Sequence, residues 1–358
     1  MQADLPYWVA LTHFGPFGAV RTGRLSRRFA NMQNAFEASA SQLVEAGIEP
    51  KIASRFLQER IHINPDAIMR ELELHGIQAL TVQDEVYPSL LKQIYDPPAV
   101  LYIRGELPDP ERRHIAVVGS RKATNYGLRV TEDLTGDLAR DGVVIVSGLA
   151  YGVDAAAHDA ALQAGGTTLA VLGSGIDNES IYPSQNRALA SRIISQGGAL
   201  ISEFSVGTPP LKHHFPFRNR VIAGMCHGTL VTQAALKSGS LITARAALES
   251  NRDVYAVPGS IHEPLSEGPN NLIKLGATPA TCCADIIGIE PAKASEPTYE
   301  PANIQERDLM EKLGKTPTHL DELVRSLDLP TNKVNSLISL LEIKNAIRHE
   351  GAGYYTKR

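Results

Sequence analysis

The chain has 358 residues, two to three times the usual length of one domain, so two or three domains are expected. Its formal net charge of -4 excludes a uniformly basic exterior, so any nucleic-acid binding must come from a local patch. The three cysteines, two of them adjacent, favour neither a disulfide framework nor a metal site. Without a basic leader or an apolar run of about 18 residues, we expect a cytoplasmic protein with no membrane insertion.

Residues 1–75 predict a small all-helical domain, SAM-like or helix-hairpin-helix-like. Short amphipathic runs at 40–47 and 65–75 have helical spacing and no strand-like alternation. A tight turn at 14–18 precedes four arginines, of which Arg24 and Arg28 share one helical face. This face could contact phosphate, or it could be the solvated surface of a protein-interaction bundle, which we favour.

Residues 76–289 predict an α/β domain with an extended Rossmann-like parallel sheet. Continuous apolar runs rich in β-branched residues alternate with amphipathic stretches, a pattern typical of a sheet covered on both faces. Ligands of such sheets bind outside the carboxyl ends of the strands, where this sequence has most of its small residues. The predicted strands are 115–118, 143–146, 168–172, 199–202, 229–232 and 253–257.

The remainder predicts a linker at 290–303 and a winged-helix domain at 304–358. The linker is rich in Pro, Ala and Glu and has no periodicity. Three predicted helices, 304–314, 319–327 and 331–342, precede two short strands, 346–349 and 354–356, about a glycine-rich tip. The third helix offers only Lys333 as a cation, with Asn332 and Asn335, so a protein contact is favoured for this domain.

Gly119, Ser120 and Arg121 follow a predicted strand and precede a predicted helix at 126–140. Free backbone N–H groups and the helix dipole favour a phosphate there, although an ordinary strand-to-helix turn explains the motif taken alone. A dinucleotide cofactor is disfavoured because G-x-G-x-x-G is missing and the next strand ends in Ser147-Gly148 instead of an acidic residue. We predict no cofactor.

A second candidate segment, 212–220, contains three permanent cations, two aromatic rings and an amide. Cations that meet phosphates beside rings that stack on exposed bases suit a single strand better than a duplex. Phe217 and Asn219 are equally compatible with packing and helix capping, whereas Lys212 and Phe215 favour ligand contact. The residues of this segment predicted to bind single-stranded DNA are Lys212, Phe215, Arg218, Asn219 and Arg220.

Ser240 precedes a helical run at 241–250 and could cap it, which would leave the helix N-terminus open to phosphate; it is predicted to bind single-stranded DNA there, although capping alone would explain the serine. No P-loop occurs in this segment, so ATP hydrolysis is not expected. Asp154 and His158 lie four residues apart, but no nucleophile with an obvious partner accompanies them. The sequence therefore predicts no catalytic residue.

Between about residues 76 and 289 the sequence resembles the DNA processing protein A family (DprA, also called Smf). The resemblance rests on a series of motifs in the family's order. They include Tyr87-Pro88-Ser89-Leu90, Val118-Gly119-Ser120-Arg121, Ser147-Gly148-Leu149-Ala150, Tyr182-Pro183, Phe215-Pro216 with Arg218-Asn219-Arg220, Ser238-Gly239-Ser240-Leu241, and Val257-Pro258-Gly259-Ser260.

The resemblance implies a non-catalytic homodimer that binds and protects single-stranded DNA and helps load RecA onto it during natural transformation or recombination. The family's DNA contacts correspond to the Gly-Ser-Arg turn at 119–121 and to Lys212, Phe215, Arg218 and Asn219. Its dimer and RecA contacts correspond loosely to Asn271, Leu272, Ile273 and Leu275.

Three positions depart from the family's pattern. Tyr151 stands where arginine is common, Gln233 where glutamate is common and Pro269 where cysteine is common. The first departure removes a cation beside the glycine-rich edge and implies weaker binding.

Two rival functions remain open at this point. A nucleotide phosphoribohydrolase would carry a pattern similar to P-G-G-x-G-T-x-x-E, but the nearest stretch, 238–243, lacks the paired glycines and the glutamate. A winged-helix protein that binds duplex DNA would need a more basic recognition helix than 331–342.

Overall fold

The computed structural model describes residues 4–288, 301–314, 316–327, 329–344 and 346–357. The chain forms two compact units, 1–291 and 292–358. The predicted linker at 290–303 lies outside the described residues except for 301–303, so it stays a prediction. Within the described ranges, no helix has both the length and the apolar character needed to cross a membrane.

The segment before residue 76 is helical, as its periodicity predicts. Phe14 and Phe17 of the predicted tight turn are buried and pack on Phe56, with ring centroids 4.8–5.3 Å apart. Aromatic packing therefore closes this turn. The helices are α1 (Leu5–His13), α2 (Ala19–Arg28), α3 (Met32–Glu37), α4 (Ala40–Glu45), α5 (Pro50–Arg60) and α6 (Pro65–Leu74).

Three of the four arginines of α2 interact with neighbouring residues of the same unit. Arg21 donates two hydrogen bonds, of 2.8 and 3.0 Å, to the carboxylate of Glu49, and Arg28 lies 3.4 Å from a carboxylate oxygen of Glu45. Arg24 donates to a backbone carbonyl 2.7 Å away. Such exposed pairs add about 0–1 kcal/mol each to stability. Their partners favour the solvated-face interpretation of this helix over a phosphate site.

A nine-stranded sheet forms the centre of the first unit. Its strand order is β1-β2-β6-β5-β4-β3-β7-β8-β9, and the neighbours from β6 through to β9 are parallel. All six predicted strands are present within a residue or two of their predicted ends. The strands are β1 (Gln78–Thr81), β2 (Val100–Gly105), β3 (His114–Val118), β4 (Val144–Ser147), β5 (Thr168–Val171), β6 (Ala199–Ser202), β7 (Gly228–Val231), β8 (Asp253–Ala256) and β9 (Thr278–Pro279).

Strands β1 and β2 were not predicted from the sequence. They extend the sheet antiparallel beyond β6, with Tyr102 opposite Ser202 and Gln78 opposite Ile103. Strand β2 lies beside the Pro97-Pro98 pair and has no crossover helix leading to its partner β6, so the alternating strand–helix pattern does not reveal it.

Helices cover both faces of this sheet. On one face the core joins the sheet to α1–α6: Trp8, Val9 and Leu11 belong to the same buried cluster as Tyr102 and Leu200. Residue 75 is therefore not a break in packing, and the separate helical domain stays a prediction. The helices are α7 (Ser89–Lys92), α8 (Asn125–Arg140), α9 (Val153–Gln163), α10 (Arg187–Ser195), α11 (His214–Gly224), α12 (Ser240–Glu249), α13 (Glu267–Lys274) and α14 (Ala284–Ile287).

The second unit is the predicted winged helix. Leu309, Leu323, Val334 and Leu341 form its buried centre, which places all three helices around one core. A short strand that the sequence analysis missed, β10, completes a three-stranded sheet in the order β10-β12-β11. The elements are α15 (Ile304–Lys312), β10 (Thr318–His319), α16 (Leu320–Leu327), α17 (Thr331–Ile343), β11 (Ile347–Gly351) and β12 (Tyr354–Lys357).

Candidate nucleic-acid interface

The strand order reverses between β3 and β7. From β3 the chain proceeds outward through β4, β5 and β6 on one side, and from β7 through β8 and β9 on the other. Open parallel sheets bind ligands in the crevice outside the carboxyl ends of the strands at such a reversal. Residues 119–121 follow β3 and residues 232–240 follow β7, so two of the predicted segments flank this crevice.

Glycines let the backbone turns of this edge approach one another closely. A Cβ atom on Gly152, which has φ +73°, would lie 2.3 Å from the carbonyl oxygen of Ser120, and one on Gly119 would lie 2.5 Å from Cγ2 of Val153. The Val153 amide donates to the Ser120 carbonyl across 3.2 Å. The turn after β4 thus packs directly on the Gly-Ser-Arg turn after β3.

Arg121 projects from this edge beside an aromatic ring. Its side chain is exposed, and its guanidinium carbon lies 5.3 Å from the ring centroid of Phe215, within the range of a cation–π interaction. Arg121 forms no ion pair with any residue that the structure describes. A permanent cation is therefore available to a ligand at the place that the sequence predicted.

Further exposed cations belong to the same loops. Lys212 precedes α11, Lys122 follows Arg121, and Lys237 lies in the loop before α12. None of the three forms an ion pair with a described side chain. Lys122 and Lys237 were missing from the predicted site, although each is adjacent in sequence to a predicted motif.

Arg218 lies inside the protein and is only 4% exposed. Its Nη1 donates to the carbonyl of Gly148 across 2.7 Å and also to the carbonyl of Val171. Burial lowers the pKa of Arg218 to about 10, and the charge of Asp154 partly offsets this effect, so the guanidinium stays protonated at neutral pH. The structure thus gives this predicted DNA contact a different place: it joins the ends of β4 and β5 from within.

Arg220 is also engaged. It donates to a carboxylate oxygen of Glu203 across 2.5 Å, and its Nε lies 3.3 Å from Asp96. Asn219 is 8% exposed and donates to the carbonyl of Gly239 across 3.1 Å. Both side chains contact other parts of the same chain, whereas Phe217 on the same helix is exposed. Hence α11 contacts this edge of the sheet with buried side chains as well as with the exposed residues at its start.

Asp154 organises the turn after β4. Its Oδ2 accepts hydrogen bonds from the amides of Gly148, 3.2 Å away, and Ala150, 3.4 Å away. Burial raises the pKa of this carboxyl group, and the charge of Arg218 opposes the rise. Between the two bonded amides lies Leu149 with φ 57°, a left-handed conformation that non-glycine residues seldom adopt. Asp154 therefore supports a strained backbone turn.

His158 is fully buried, and burial lowers its pKa to about 3, so it is neutral. Its Nδ1 lies 2.7 Å from the hydroxyl of Thr168. Asp154 and His158 thus have packing and hydrogen-bonding partners, in agreement with their non-catalytic interpretation. No group of three or more His, Cys, Asp or Glu side chains able to hold a metal occurs within the described ranges.

Ser120 and Ser240 differ from their predicted roles in detail. Ser120 is 8% exposed and its hydroxyl accepts the amide of Lys122 at 3.1 Å, while Thr124 caps α8 by accepting the amide of Gly127 at 3.2 Å. The prediction that Ser240 caps the next helix is wrong. Gly239 occupies the N-cap position, and Ser240 is the first helical residue.

The predicted dimer and RecA contacts lie on or just after α13. Leu275 follows the end of the helix and is 75% exposed, Asn271 is also exposed, and Leu272 and Ile273 are half-buried. Helix α13 packs against strand β8, and the amide of Gly268 in its first turn donates to the carbonyl of Ala234, in the loop after β7, across 2.8 Å.

Two family models match this chain, one in each of its two units. Residues 78–289 match the family model of DNA recombination-mediator protein A, and residues 292–353 match the DprA winged helix domain. Protein Smf of Escherichia coli is 38% identical over 328 residues, which cover 88% of this chain and 87% of that protein. DNA processing protein DprA of Streptococcus pneumoniae is 41% identical over 232 residues, 65% of this chain and 80% of that protein.

Two solved structures are similar to this one. The crystal structure of DprA from Streptococcus pneumoniae aligns with a TM-score of 0.66 and 35% identity, covering 78% of this chain and 95% of that one. DNA processing protein A from Helicobacter pylori, whose structure addresses its single-stranded DNA binding mode, aligns with a TM-score of 0.52 and 31% identity, covering 59% and 94%. On the extent of the matched sequence and the shared fold, the chain belongs to the DprA/Smf family of DNA recombination-mediator proteins.

Proposed function

We propose that this chain binds single-stranded DNA at the edge formed by residues 119–122, 148–152, 212–215 and 237–240. The observation that carries the proposal is the exposed Arg121, which has no acidic partner among the described residues and lies over Phe215 at the reversal of strand order. Phosphate suits the cation, and the nearby aromatic rings suit unpaired bases, which a duplex would keep stacked. The single-stranded DNA binding described for the Helicobacter pylori relative supports the same choice.

We further infer a cytoplasmic homodimer that helps load RecA onto the bound strand and carries out no catalysis itself. The family resemblance supports this part of the proposal. The surface we assign to these protein contacts is the end of α13, because Leu275 there is 75% exposed.

Fluorescence anisotropy with labelled oligo-dT and a matched duplex tests the DNA-binding proposal. We expect Arg121→Ala and Lys212→Ala each to weaken oligo-dT binding by about tenfold or more, since each removes a charge-assisted contact of about 1.5–3 kcal/mol. If three phosphates are contacted, a plot of log affinity against log salt concentration should have a slope of about -2. Each variant should make that slope less steep by about 0.7, because one phosphate contact is lost.

Two matched controls separate a local effect from a loss of overall charge. Arg140 lies at the opposite end of α8, where it pairs with Asp137, and Lys51 lies exposed on α5. Arg140→Ala and Lys51→Ala should bind oligo-dT like the wild type. Unchanged affinity in both Arg121→Ala and Lys212→Ala would refute this interface, and release of free base from a nucleoside monophosphate would favour the phosphoribohydrolase alternative.

A further inference from the structure

Phe215, the ring expected to stack on a base, is already in contact with its own protein. A Cβ atom on Gly173 would lie only 3.2 Å from Cδ1 of Phe215, so the ring packs closely on the turn after β5. The guanidinium carbons of Arg121 and Arg218 lie 5.3 and 5.9 Å from the ring centroid. Phe215 is therefore well placed to orient Arg121, and its own surface is only partly open.

Two tyrosines beside it are more open. Tyr182 is 43% exposed with its ring centroid 5.9 Å from that of Phe215 at an interplanar angle of 51°, and Tyr151 is 39% exposed. Both tyrosines line one shallow cleft together with Phe215 and Arg121; its other lining residues are Gly148, Ala150 and Pro183. Aromatic surface and one free cation thus meet in a single depression at the edge.

Hydrogen bonds connect the two segments that carry these tyrosines. The Tyr151 hydroxyl donates to Oε1 of Gln185, and Nδ2 of Asn186 donates to the carbonyls of Leu149 at 2.8 Å and Ala150 at 3.3 Å. These bonds join the segment after Tyr182 to the turn that carries Tyr151. Because its hydroxyl already fixes the Tyr151 ring, little of that side chain's conformational entropy remains to be lost when it binds a ligand.

We propose that Tyr151 and Tyr182 are base-stacking residues, which receive neighbouring bases of a strand whose phosphate is bound by Arg121. This rests on the proposed function and deepens it: the cleft selects unpaired bases of any identity, because every base has a π-face and a duplex hides it. At position 151, where arginine is common in the family, the tyrosine ring offers a base contact in place of a phosphate contact, so it adds affinity without adding to the salt slope.

The test compares oligo-dT with an oligonucleotide of equal length and charge in which abasic tetrahydrofuran residues replace the central nucleotides. Tyr151→Ala and Tyr182→Ala should each weaken oligo-dT binding by at least about fivefold, the lower end of base–aromatic stacking. Neither should weaken binding to the abasic oligonucleotide, and neither should change the salt slope. Tyr182→Phe keeps the ring and should bind oligo-dT within about twofold of the wild type, whereas Tyr151→Phe keeps the ring but loses the hydroxyl bond to Gln185 and should fall between the wild type and Tyr151→Ala.

Tyr95→Ala is the matched control, because Tyr95 is 98% exposed and lies outside the cleft. Thermal unfolding of every variant shows whether the fold is kept. Two results would overturn the stacking assignment and leave the proposed function standing, provided that the wild type binds oligo-dT. In the first, both alanine variants bind oligo-dT as tightly as the wild type does. In the second, they lose as much affinity for the abasic oligonucleotide as for oligo-dT. If the wild type fails to bind oligo-dT, both are overturned.

Discussion

Replacing Arg218 by methionine should destabilise the first unit by about 3–5 kcal/mol, the usual cost of leaving one member of a buried charge pair without its partner. Methionine keeps the unbranched aliphatic stem but lacks the guanidinium group, so the cavity left by that group adds to the loss. The polar part of the loss has two sources in the structure. The carbonyls of Gly148 and Val171 lose the donor that joins them, and the buried carboxyl group of Asp154 loses the positive charge that most opposes the effect of its burial.

The same pair predicts a pH dependence. Burial raises the folded-state pKa of Asp154 above its ordinary value of 3.8, and loss of Arg218 must raise it further. A carboxyl group with a raised folded pKa binds more protons in the folded state, so its cost to stability grows as pH rises through that range. The destabilisation of Arg218→Met should therefore be larger at pH 7 than at pH 5.

Urea unfolding followed by tryptophan fluorescence measures this effect in the first unit alone. Trp8 is the only tryptophan of the chain and is 3% exposed, in the core shared by the helices and the sheet. The double variant Arg218→Met with Asp154→Asn should recover part of the loss, because it removes the unpaired charge. A loss below about 1 kcal/mol, or the same loss at both pH values, would contradict the assignment of Arg218 to a buried charge pair.

Two further variants test the packing of the glycine-rich edge and the surface at the end of α13. Gly152→Ala places a Cβ atom 2.3 Å from the Ser120 carbonyl at a residue with φ +73°, so it should lower the free energy of unfolding by at least about 2 kcal/mol. Gly23 lies on α2, where an added Cβ atom would meet open space, so Gly23→Ala should raise the free energy of unfolding by about 0.5 kcal/mol. Urea titrations would show this contrast, and equal effects would argue against tight packing of the two turns. Leu275→Glu should shift a dimer towards monomer in analytical ultracentrifugation, since a carboxylate would replace the 75%-exposed side chain, and an unchanged mass would move the interface elsewhere.

Local pattern was sufficient for much of the architecture. Six of the nine strands of the large sheet follow from short apolar runs between amphipathic stretches, because a strand buried on both faces needs apolar residues at every position. The winged helix likewise follows from three helical periods and a glycine-rich tip. The sequence also indicated that the small residues share one edge, since residues after successive parallel strands must meet at one side of a sheet.

Which polar side chains face that edge was decided only by the tertiary structure. Lys212, Arg218 and Arg220 are equally cationic in the sequence, but the rotation of α11 buries Arg218 between two strand ends and pairs Arg220 with Glu203, whereas Lys212 stays exposed. The cleft of Tyr151 and Tyr182 joins residues 31 positions apart in the chain, 182 minus 151, which no local period connects. Motifs and their spacing predicted a polyanion site at this edge; long-range packing decided which cations and which rings stay exposed, because burial depends on neighbours that are distant in sequence.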